Sequence, residues 1–428
     1  MSSEQPPKFW PVGEDIQPSP LPNVPLWNPA LWETVEEEID ALDSSLRELS
    51  LSIHARPELM FEERHAHDVL TDYVSNQGFV VKKNYVLSTG WEARFAHGSG
   101  GRTIGVNSEM DALPGVGHAC GHNLIAIAGV AVACAIKKAI IKHNISGAVI
   151  LLGTPGEEGG MGKKIMLAAG AYKDMDGCVM CHPAPGPNAT SSLSSCLAIQ
   201  RMTAKYKGHS AHAALSPWEG QNALDAAVLA YNNIAALRQQ LRPHIRVHGI
   251  FKGEAWAPNV IPDNAEMTWL VRSPRFNEVQ EVAQRVKKCF EASALATDCQ
   301  VEIFADPKNS MTELRQNETL GQAFEQIFNA KYGVVDRLYG IGSASTDFGN
   351  VTYALPSIHP SFAIPTEPNG GNHTKAFALS AASKESHIAC LNISKVLALT
   401  GLRLLADDEF AQQMKKTFDT DEALRISS

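Results

Sequence analysis

Apolar and polar positions in the first part of the chain follow two patterns, short apolar runs and longer stretches of helical periodicity. Thr103–Asn107, Ala148–Gly153 and Gly177–Cys181 are runs of the kind that form strands buried on both faces. Leu124–Ile141 and Lys163–Ala169 lie between them and are predicted as helices. Strand, helix, strand is the βαβ unit of a parallel sheet, so this part of the chain is predicted to be an α/β domain.

The middle of the chain has a different order of elements. The predicted elements are strand Leu197–Lys207, helix Gly220–Leu241, strands Ile245–Phe251 and Ala265–Val271, helix Asn277–Ala296 and strand Cys299–Phe304. This βαββαβ order is that of a ferredoxin-like domain. Because it is complete in itself, we expect it to be inserted into the α/β domain.

Segments on either side of the insertion complete the predicted fold. Further helices are predicted at Trp32–Leu51, Glu62–Gln77, Leu320–Tyr332 and Leu379–Leu405, strands at Phe79–Leu87 and Ala93–Ala96, and a Gly/Ser-rich loop at Ser343–Asn350. We expect a mixed, mostly parallel sheet domain over residues 30–196 and 306–428, interrupted by the insertion at 197–305. Residues 1–29 are rich in proline and are predicted to form an extended arm.

Composition narrows the class of protein. Of the 428 residues, 44% are hydrophobic and 19% are charged, as in ordinary globular proteins. The net charge of −9 argues against a nucleic-acid partner, which would require a basic face. The longest apolar stretch, Leu124–Ile136, is shorter than the roughly 20 residues that span a bilayer, so no membrane association is expected. The eight cysteines lack the spacing of a disulfide scaffold, which favours a reduced, cytoplasmic protein.

Cys120 and His122 form a candidate pair of metal ligands. Side chains two residues apart in an extended segment point the same way, and Gly121 allows the backbone to approach closely. Thiolate and imidazole are both good ligands for zinc-like metals. From these residues alone, a buried cysteine before a helix and an exposed histidine remain equally acceptable.

Polar side chains follow the ends of the three predicted parallel strands. Asp111 follows the first strand, Glu157 and Glu158 follow the second, and His182 follows the third. Ligands and catalytic groups collect at this edge of open α/β sheets. Two adjacent carboxylates can have different roles, since one can bind a metal ion while the other transfers a proton. This coincidence favours a metal site over a charged loop, whereas His373 alone is typical of a surface histidine.

The predicted insertion holds three further candidates. His212 lies in a turn between a strand and a helix, which is also an ordinary structural turn. Arg272 could grip a substrate carboxylate with two hydrogen bonds, although a surface salt bridge is the commoner use of an arginine. Asn259 lies nearby in sequence.

Six separated stretches of the chain match one known family in order and spacing. They are His54–Leu59, Met110–Pro114, His118–His122, Glu157–Glu158, Cys181–Pro183 and Gly208–Ala213. On these motifs the chain, from Trp32 onward, resembles the aminoacylase/carboxypeptidase metallopeptidases. It is most similar to their Xaa-Arg dipeptidase branch through Pro114–Ala126, Pro217–Gly220, Leu224–Asn233 and Ser345–Val351. That branch acts on dipeptides of basic amino acids, including β-alanyl ones.

The resemblance implies a two-metal hydrolase. The implied ligands of two divalent ions, zinc or alternatively manganese or cobalt, are Cys120, His122, Glu158, His182 and His373. Glu157 would be the general base and Asp111 would orient a ligand. The insertion would be a lid and dimerisation domain of a homodimer, and its His212 would stabilise the oxyanion in the partner's active site. Asn259 and Arg272 would contact the carboxyl end of the substrate.

The chain departs from the family in two motifs and leaves alternatives open. The family often has Asp-x-Asp where this chain has Glu109-Met110-Asp111, and aspartate where it has Asn123. The resulting hypothesis is metal-dependent hydrolysis of an amide bond in a small dipeptide or N-acyl amino acid. An amidohydrolase or amide-forming enzyme for a small natural product is the second hypothesis. A non-catalytic binding or regulatory homologue is the third.

Overall fold

Two units, each formed from more than one segment, make up the chain in the computed structural model, which describes residues 27–305, 310–336, 342 and 344–427. The α/β unit comprises the chain up to Ser195, Leu314–Gly342 and Asn350–Ser428. The inserted unit comprises Cys196–Glu313 and Ser343–Gly349. Of the predicted N-terminal arm, residues 1–26 lie outside the described residues. Asn28 already caps the first helix, and its side chain accepts a hydrogen bond from the backbone N–H of Leu31.

The predicted helices and strands appear in the predicted order, and the structure adds further elements between them and near the C-terminus. Before the insertion they are α1 Pro29–His54, α2 Arg64–Asn76, β1 Val80–Lys83, β2 Trp91–His97, β3 Arg102–Ser108, α3 His122–Lys142, β4 Gly147–Gly153, α4 Glu157–Gly160, α5 Gly162–Ala168, β5 Gly177–Val179, β6 His182–Pro185 and β7 Thr190–Ser192. In the inserted unit they are β8 Ala198–Lys207, α6 Ala223–Arg238, β9 Arg246–Lys252, β10 Asn264–Ser273, α7 Phe276–Thr297, β11 Gln300–Phe304 and β12 Ser310–Met311. After it come α8 Glu318–Lys331, β13 Val334–Val335, α9 Phe348–Ala354, β14 Ser357–Ile358, β15 Ser361–Ile364, α10 Lys375–Ala381, α11 Lys384–Ala406 and α12 Asp408–Ser427.

The main sheet of the α/β unit has the strand order β1-β2-β4-β3-β5-β14. Strands β4, β3, β5 and β14 run parallel, and β1 and β2 form an antiparallel edge. The mixed, mostly parallel sheet is therefore confirmed. The last five residues of β4 are all buried because helices cover both faces of such a sheet. A second sheet, β13-β7-β15-β6, lies in the same unit.

Helix α3 is buried along nearly its whole length in the core of the α/β unit. It is 21 residues long, so it is longer than the apolar stretch suggested and, by length and composition, could cross a membrane. Yet 83% of its most apolar window is buried inside the protein, as in the core helix of a globular domain. The same holds for α11, whose most apolar window is 78% buried.

The inserted unit has the predicted βαββαβ order, and its sheet is antiparallel with the strand order β11-β8-β10-β9. Alternate residues of β8 and β10 are buried, because one face of the sheet packs against α6 and α7. This is the ferredoxin-like topology that the periodicity predicts. Strand β9 lies at the edge of the sheet.

Three expectations about local structure are wrong. The predicted loop Ser343–Asn350 already contains the start of α9 at Phe348. The predicted helix Leu379–Leu405 is broken, because Ser383 caps a new helix by accepting a hydrogen bond from the backbone N–H of Ser386. The strand predicted to end at Cys181 ends at Val179, and His182 begins another strand in the second sheet.

Candidate metal centre

The turn before α3 places Cys120 and His122 next to the second sheet. Gly121 caps the helix in the left-handed region, with φ of 77°, which favours glycine. A Cβ atom at this position would lie 2.5 Å from Cγ of Pro183 and 3.4 Å from Phe377. The Cys-Gly-His spacing therefore has a steric reason, since only glycine fits against the strand that begins with His182.

The five side chains predicted to bind metal lie in overlapping groups whose ligand atoms are within 4.8 Å of one another. One group is Cys120, His122 and His182, and a second is Cys120, Glu158 and His373. Within them, Sγ of Cys120 lies 3.4 Å from Nε2 of His182. Nε2 of His373 lies 3.3 Å from Oε1 of Glu158. A third group joins His122 and Glu158 with Glu157.

Asp111 contacts two of these residues at once. Its Oδ1 lies 3.1 Å from Nδ1 of His122, and its Oδ2 accepts the backbone N–H of Glu158 at 2.9 Å. All three residues lie just beyond the ends of β3 and β4 or at the start of α3. Asp111 thus orients the His122 ring and the Glu157–Glu158 turn relative to each other.

The tautomer of His182 follows from a neighbouring carbonyl group. Nδ1 of His182 lies 2.8 Å from the carbonyl oxygen of Pro183, which can only accept, so this nitrogen carries the proton. Nε2 therefore has its lone pair towards Cys120. Burial lowers the pKa of His182 to about 4, which keeps the ring neutral, as a metal ligand requires.

His373 is the one predicted ligand with a largely exposed side chain. It has φ of 70°, an uncommon value for a residue other than glycine, and its backbone N–H donates to the carbonyl of Ala119 at 2.8 Å. That hydrogen bond ties the loop before α10 to the Cys120 turn. Because this contact joins segments far apart in the chain, the sequence around His373 alone gives little indication that the residue lies at the cluster.

The pKa values of several side chains in the cluster are shifted from their usual values. Burial and the charge of Glu158 raise the pKa of the Cys120 thiol. Burial also opposes charge on Glu158, yet the nearby rings of His373 and His122 lower its pKa below the usual value. For His122, the carboxylates of Glu109 and Asp111 overcome burial and raise the pKa well above its usual value. Perturbed groups concentrated in this way are typical of functional sites.

The donor set fits a divalent metal ion. A thiol, imidazoles and carboxylates are the side chains that bind zinc and its neighbours in the periodic table. Among the described residues, Nε2 of His122 and Oε1 of Glu158 are buried without a hydrogen bond, and each has a charged neighbour at 3.3 Å. Buried polar atoms without a hydrogen bond are costly unless a ligand satisfies them.

Two buried groups around the cluster were missed by the sequence reasoning. Glu63 precedes α2, and its carboxylate accepts hydrogen bonds from the backbone N–H of Gly156 at 2.8 Å and from Thr89 Oγ1 at 2.6 Å. Glu109 lies 2.6 Å from Lys163, and both are fully buried. An acidic residue before a helix and a lysine on a short helix give no local signal of burial.

Asn123, one of the two departures from the family pattern, has a structural explanation. Its amide nitrogen donates to Oγ of Ser50 and to the carbonyl oxygen of Ala381, each at 3.0 Å. An aspartate has no hydrogen to donate to a carbonyl group. The asparagine therefore joins α3 to α1 and α10.

The inserted unit contains the remaining predicted residues, His212, Asn259 and Arg272. His212 is exposed, and its Nδ1 accepts the backbone N–H groups of Ala214 and Leu215, at 3.2 and 3.0 Å, so the ring proton is on Nε2. Asn259 is exposed, and its carbonyl accepts from Ala213 at 3.0 Å.

Arg272 has neutral partners within the inserted unit. It donates to Nε2 of His248 at 3.3 Å and to Oγ of Ser345 at 3.0 Å. Among the described residues, no carboxylate forms an ion pair with it. Burial lowers the pKa of this guanidinium. The surface salt bridge considered from the sequence is thus not what the described residues form.

Comparisons with known proteins identify relatives of this chain. The profile of the peptidase dimerisation domain of the M20 family matches residues 198–298. The Xaa-Arg dipeptidase of Homo sapiens is 38% identical over 401 residues, which cover 89% of this chain and 90% of the relative. A p-aminobenzoyl-glutamate hydrolase component of Escherichia coli is 32% identical over 320 residues, 70% of this chain and 65% of the relative.

Solved structures show the same fold. A dinuclear metal-binding M20 peptidase of Bacillus subtilis has a TM-score of 0.61 at 20% identity, covering 83% of this chain and 98% of the other. An aminobenzoyl-glutamate utilization protein of Klebsiella pneumoniae has a TM-score of 0.68 at 18% identity, covering 86% and 98%. The chain therefore belongs to the M20 family of peptidases, and it is a metal-dependent hydrolase of amide bonds in small substrates.

Proposed function

We propose that the protein is a dipeptidase that uses two divalent ions and cleaves dipeptides with a basic C-terminal residue. The observation that carries the two-ion centre is the overlap of donor groups at one sheet edge, with Cys120, His122 and Glu158 each shared between two groups. When bound, such ions supply Lewis acidity to the attacking water and to the amide carbonyl. Zinc is the proposed metal, since thiolate and imidazole ligands favour it.

Glu157 is proposed as the general base. It is 8% exposed and adjoins Glu158, whose backbone is fixed by Asp111 and whose side chain groups with Cys120 and His373. Both glutamates group with His122, but Glu158 also groups with the candidate ligands Cys120 and His373, whereas Glu157 does not. We therefore assign Glu158 to metal binding and Glu157 to proton transfer. Glu157 takes a proton from the attacking water and later gives it to the leaving amine.

We propose a homodimer in which His212 acts on the partner's substrate. Its position on a surface loop and its Nε2–H group suit donation to a developing oxyanion. Strand β9 is an edge strand with Ile250 and Phe251 exposed, and α6 exposes Val228 and Tyr231. These surfaces support pairing of inserted units from two chains.

Arg272 and Asn259 are proposed to hold the carboxyl end of the substrate. Arg272 is half-buried, and its hydrogen bonds are to neutral partners, which leaves the charge of the guanidinium available to an anion. We also propose a reducing compartment, the cytoplasm, because all eight cysteines are thiols in the structure.

Substrate choice is tested by product detection. The purified protein is incubated with Ala-Arg, β-alanyl-lysine, Ala-Leu, p-aminobenzoyl-glutamate and an N-acetyl amino acid, and products are measured by mass spectrometry with and without EDTA. We expect the basic dipeptides to have the highest kcat/KM and EDTA to abolish turnover. Preference for p-aminobenzoyl-glutamate or the N-acetyl compound would contradict the dipeptidase assignment. Absence of turnover with bound metal would favour the non-catalytic alternative.

A further inference from the structure

A buried ion pair lies beside the candidate metal centre. Oε1 of Glu109 is 2.6 Å from Nζ of Lys163, and both side chains are fully buried. Glu109 follows β3 directly, and Lys163 lies in the first turn of α5. Isolated charges at such depth are very costly, and even paired ones gain little stability over apolar residues. The pair therefore calls for an explanation other than stability.

The second oxygen of Glu109 points to that explanation. Oε2 of Glu109 lies 3.3 Å from Nε2 of His122. The other ring nitrogen of His122 is engaged by Asp111, so Nε2 is the nitrogen that remains for a metal ion. In tetrahedral coordination with bonds of about 2.0–2.1 Å, two ligand atoms are about 3.3 Å apart. Glu109 and His122 thus have the spacing of two ligands of one ion.

A second juxtaposition places Glu109 at the same centre. A carboxylate oxygen of Glu109 lies within 4.8 Å of one from Glu157, and Glu157 itself groups with His122 and Glu158. With Asp111 also present, several carboxylates converge there. Lys163 engages one oxygen of Glu109, which offsets the repulsion and directs the other oxygen towards His122.

We propose that Glu109 is a further carboxylate ligand of the metal centre and that Lys163 is the residue that positions it. This inference rests on the proposed metal site, and it adds a ligand outside the five that the sequence motifs predict. It gives Lys163 a role in metal affinity although its own nitrogen binds no metal.

The test separates metal binding from folding by comparing Glu109→Gln, Lys163→Met and the double variant. Tm is measured after EDTA treatment, zinc affinity by competition with a chromogenic chelator, and coordination by the visible spectrum of the cobalt-substituted protein. We expect Lys163→Met to lower Tm and the double variant to recover most of it, because no charge stays buried unpaired. We expect zinc affinity to fall about 10–100-fold in all three variants and the cobalt spectrum to change.

Wild-type zinc affinity and an unchanged cobalt spectrum in the double variant would overturn the proposal and leave the pair a structural one. If the double variant does not fold, Glu109→Asp replaces it, since it keeps the charge and shortens the reach. Normal zinc affinity in that variant would equally contradict the proposal. Cys120→Ser is the control: if wild type and Cys120→Ser bind zinc equally weakly, the proposed metal site itself fails.

Discussion

The two units use their sheets in opposite ways. In the α/β unit the central strands are buried on both faces, and most of the candidate metal-binding side chains are buried as well. In the inserted unit β8 and β10 are buried on alternate residues, and His212 lies on a surface loop. A sheet covered on both sides can hold polar groups in fixed mutual geometry. A sheet covered on one side leaves its polar groups available to another molecule.

The comparison implies that the group that transfers the proton is one of the buried side chains of the α/β unit. The variant Glu157→Gln, with the largest expected effect, tests this. We expect kcat to fall about 10²–10⁴-fold, because an amide cannot take the proton of the attacking water. Metal content, measured by mass spectrometry of the metal, should stay at the wild-type level. Near-normal kcat would remove Glu157 from this role. Loss of metal would make it a ligand instead.

We expect His212, on the surface loop of the inserted unit, to act only on the substrate bound by the partner subunit. We expect His212→Ala to lower kcat about 10²–10³-fold, the usual effect of losing one oxyanion donor. Mixing this variant with Glu157→Gln after dissociation and reassociation should restore roughly a quarter of wild-type activity, because half of the dimers then have one complete site of two. No recovery in dimers shown to be mixed would place His212 in the active site of its own chain.

The central strands of the α/β unit are buried on both faces, whereas the inserted unit leaves one face of its helices exposed. The same substitution should therefore lower the free energy of unfolding by different amounts in the two units. Leu151→Ala, in the middle of β4, should cost about 2–5 kcal/mol of unfolding free energy because it leaves a cavity. Leu295→Ala, the same chemical change at an exposed position of α7, should stay within about 0.5 kcal/mol. Urea unfolding of both variants measures the difference. Similar losses would mean that α7 is covered in solution.

The smallest expected effect concerns a peripheral ion pair of the α/β unit. Burial raises the pKa of Glu36, but hydrogen bonds from Lys331 and Tyr332 outweigh it and lower the pKa below 4.5. The pair therefore stabilises the fold above pH 4.5, and this contribution is lost as pH falls through the lowered value. Glu36→Gln should cost about 1 kcal/mol at pH 7 and progressively less towards about pH 3.

Thermal unfolding across this pH range measures the effect, and Glu37→Gln is the matched control. Glu37 lies one residue further along α1, and its ion pair with Lys142 is exposed. Its replacement should leave Tm nearly unchanged at every pH. A pH-independent difference between Glu36→Gln and the wild type would contradict the assigned protonation.

Periodicity predicted the parts of the fold whose strands and helices are long enough to show it. The βαβ unit around α3 and the βαββαβ order of the inserted unit both follow from it. Strand β6 was hidden because it is four residues long and contains two prolines, and α12 because its sequence is mostly polar. Such elements form because of partners distant in the chain, for example β15 beside β6.

The candidate site was predictable where residues follow strand ends or repeat a known motif. Cys120, His122, Glu158 and His182 could be placed together on that basis. Glu63, Glu109 and Lys163 could not, since each gains its environment from a segment many residues away. A fully buried lysine such as Lys163 is especially hard to foresee, because lysine is almost always a surface residue.

The open edge of β9 has a consequence for the life of a newly made chain. Among the described residues, β9 pairs on one side only, with β10, and it exposes Ile250 and Phe251, so its other side is a template for pairing with any strand that it meets. In the proposed homodimer a second copy of the chain would cover this edge and pair its free backbone groups. Pairing with a second copy would then compete with pairing to exposed strands of other proteins, and the concentration of this chain relative to those strands would decide the outcome.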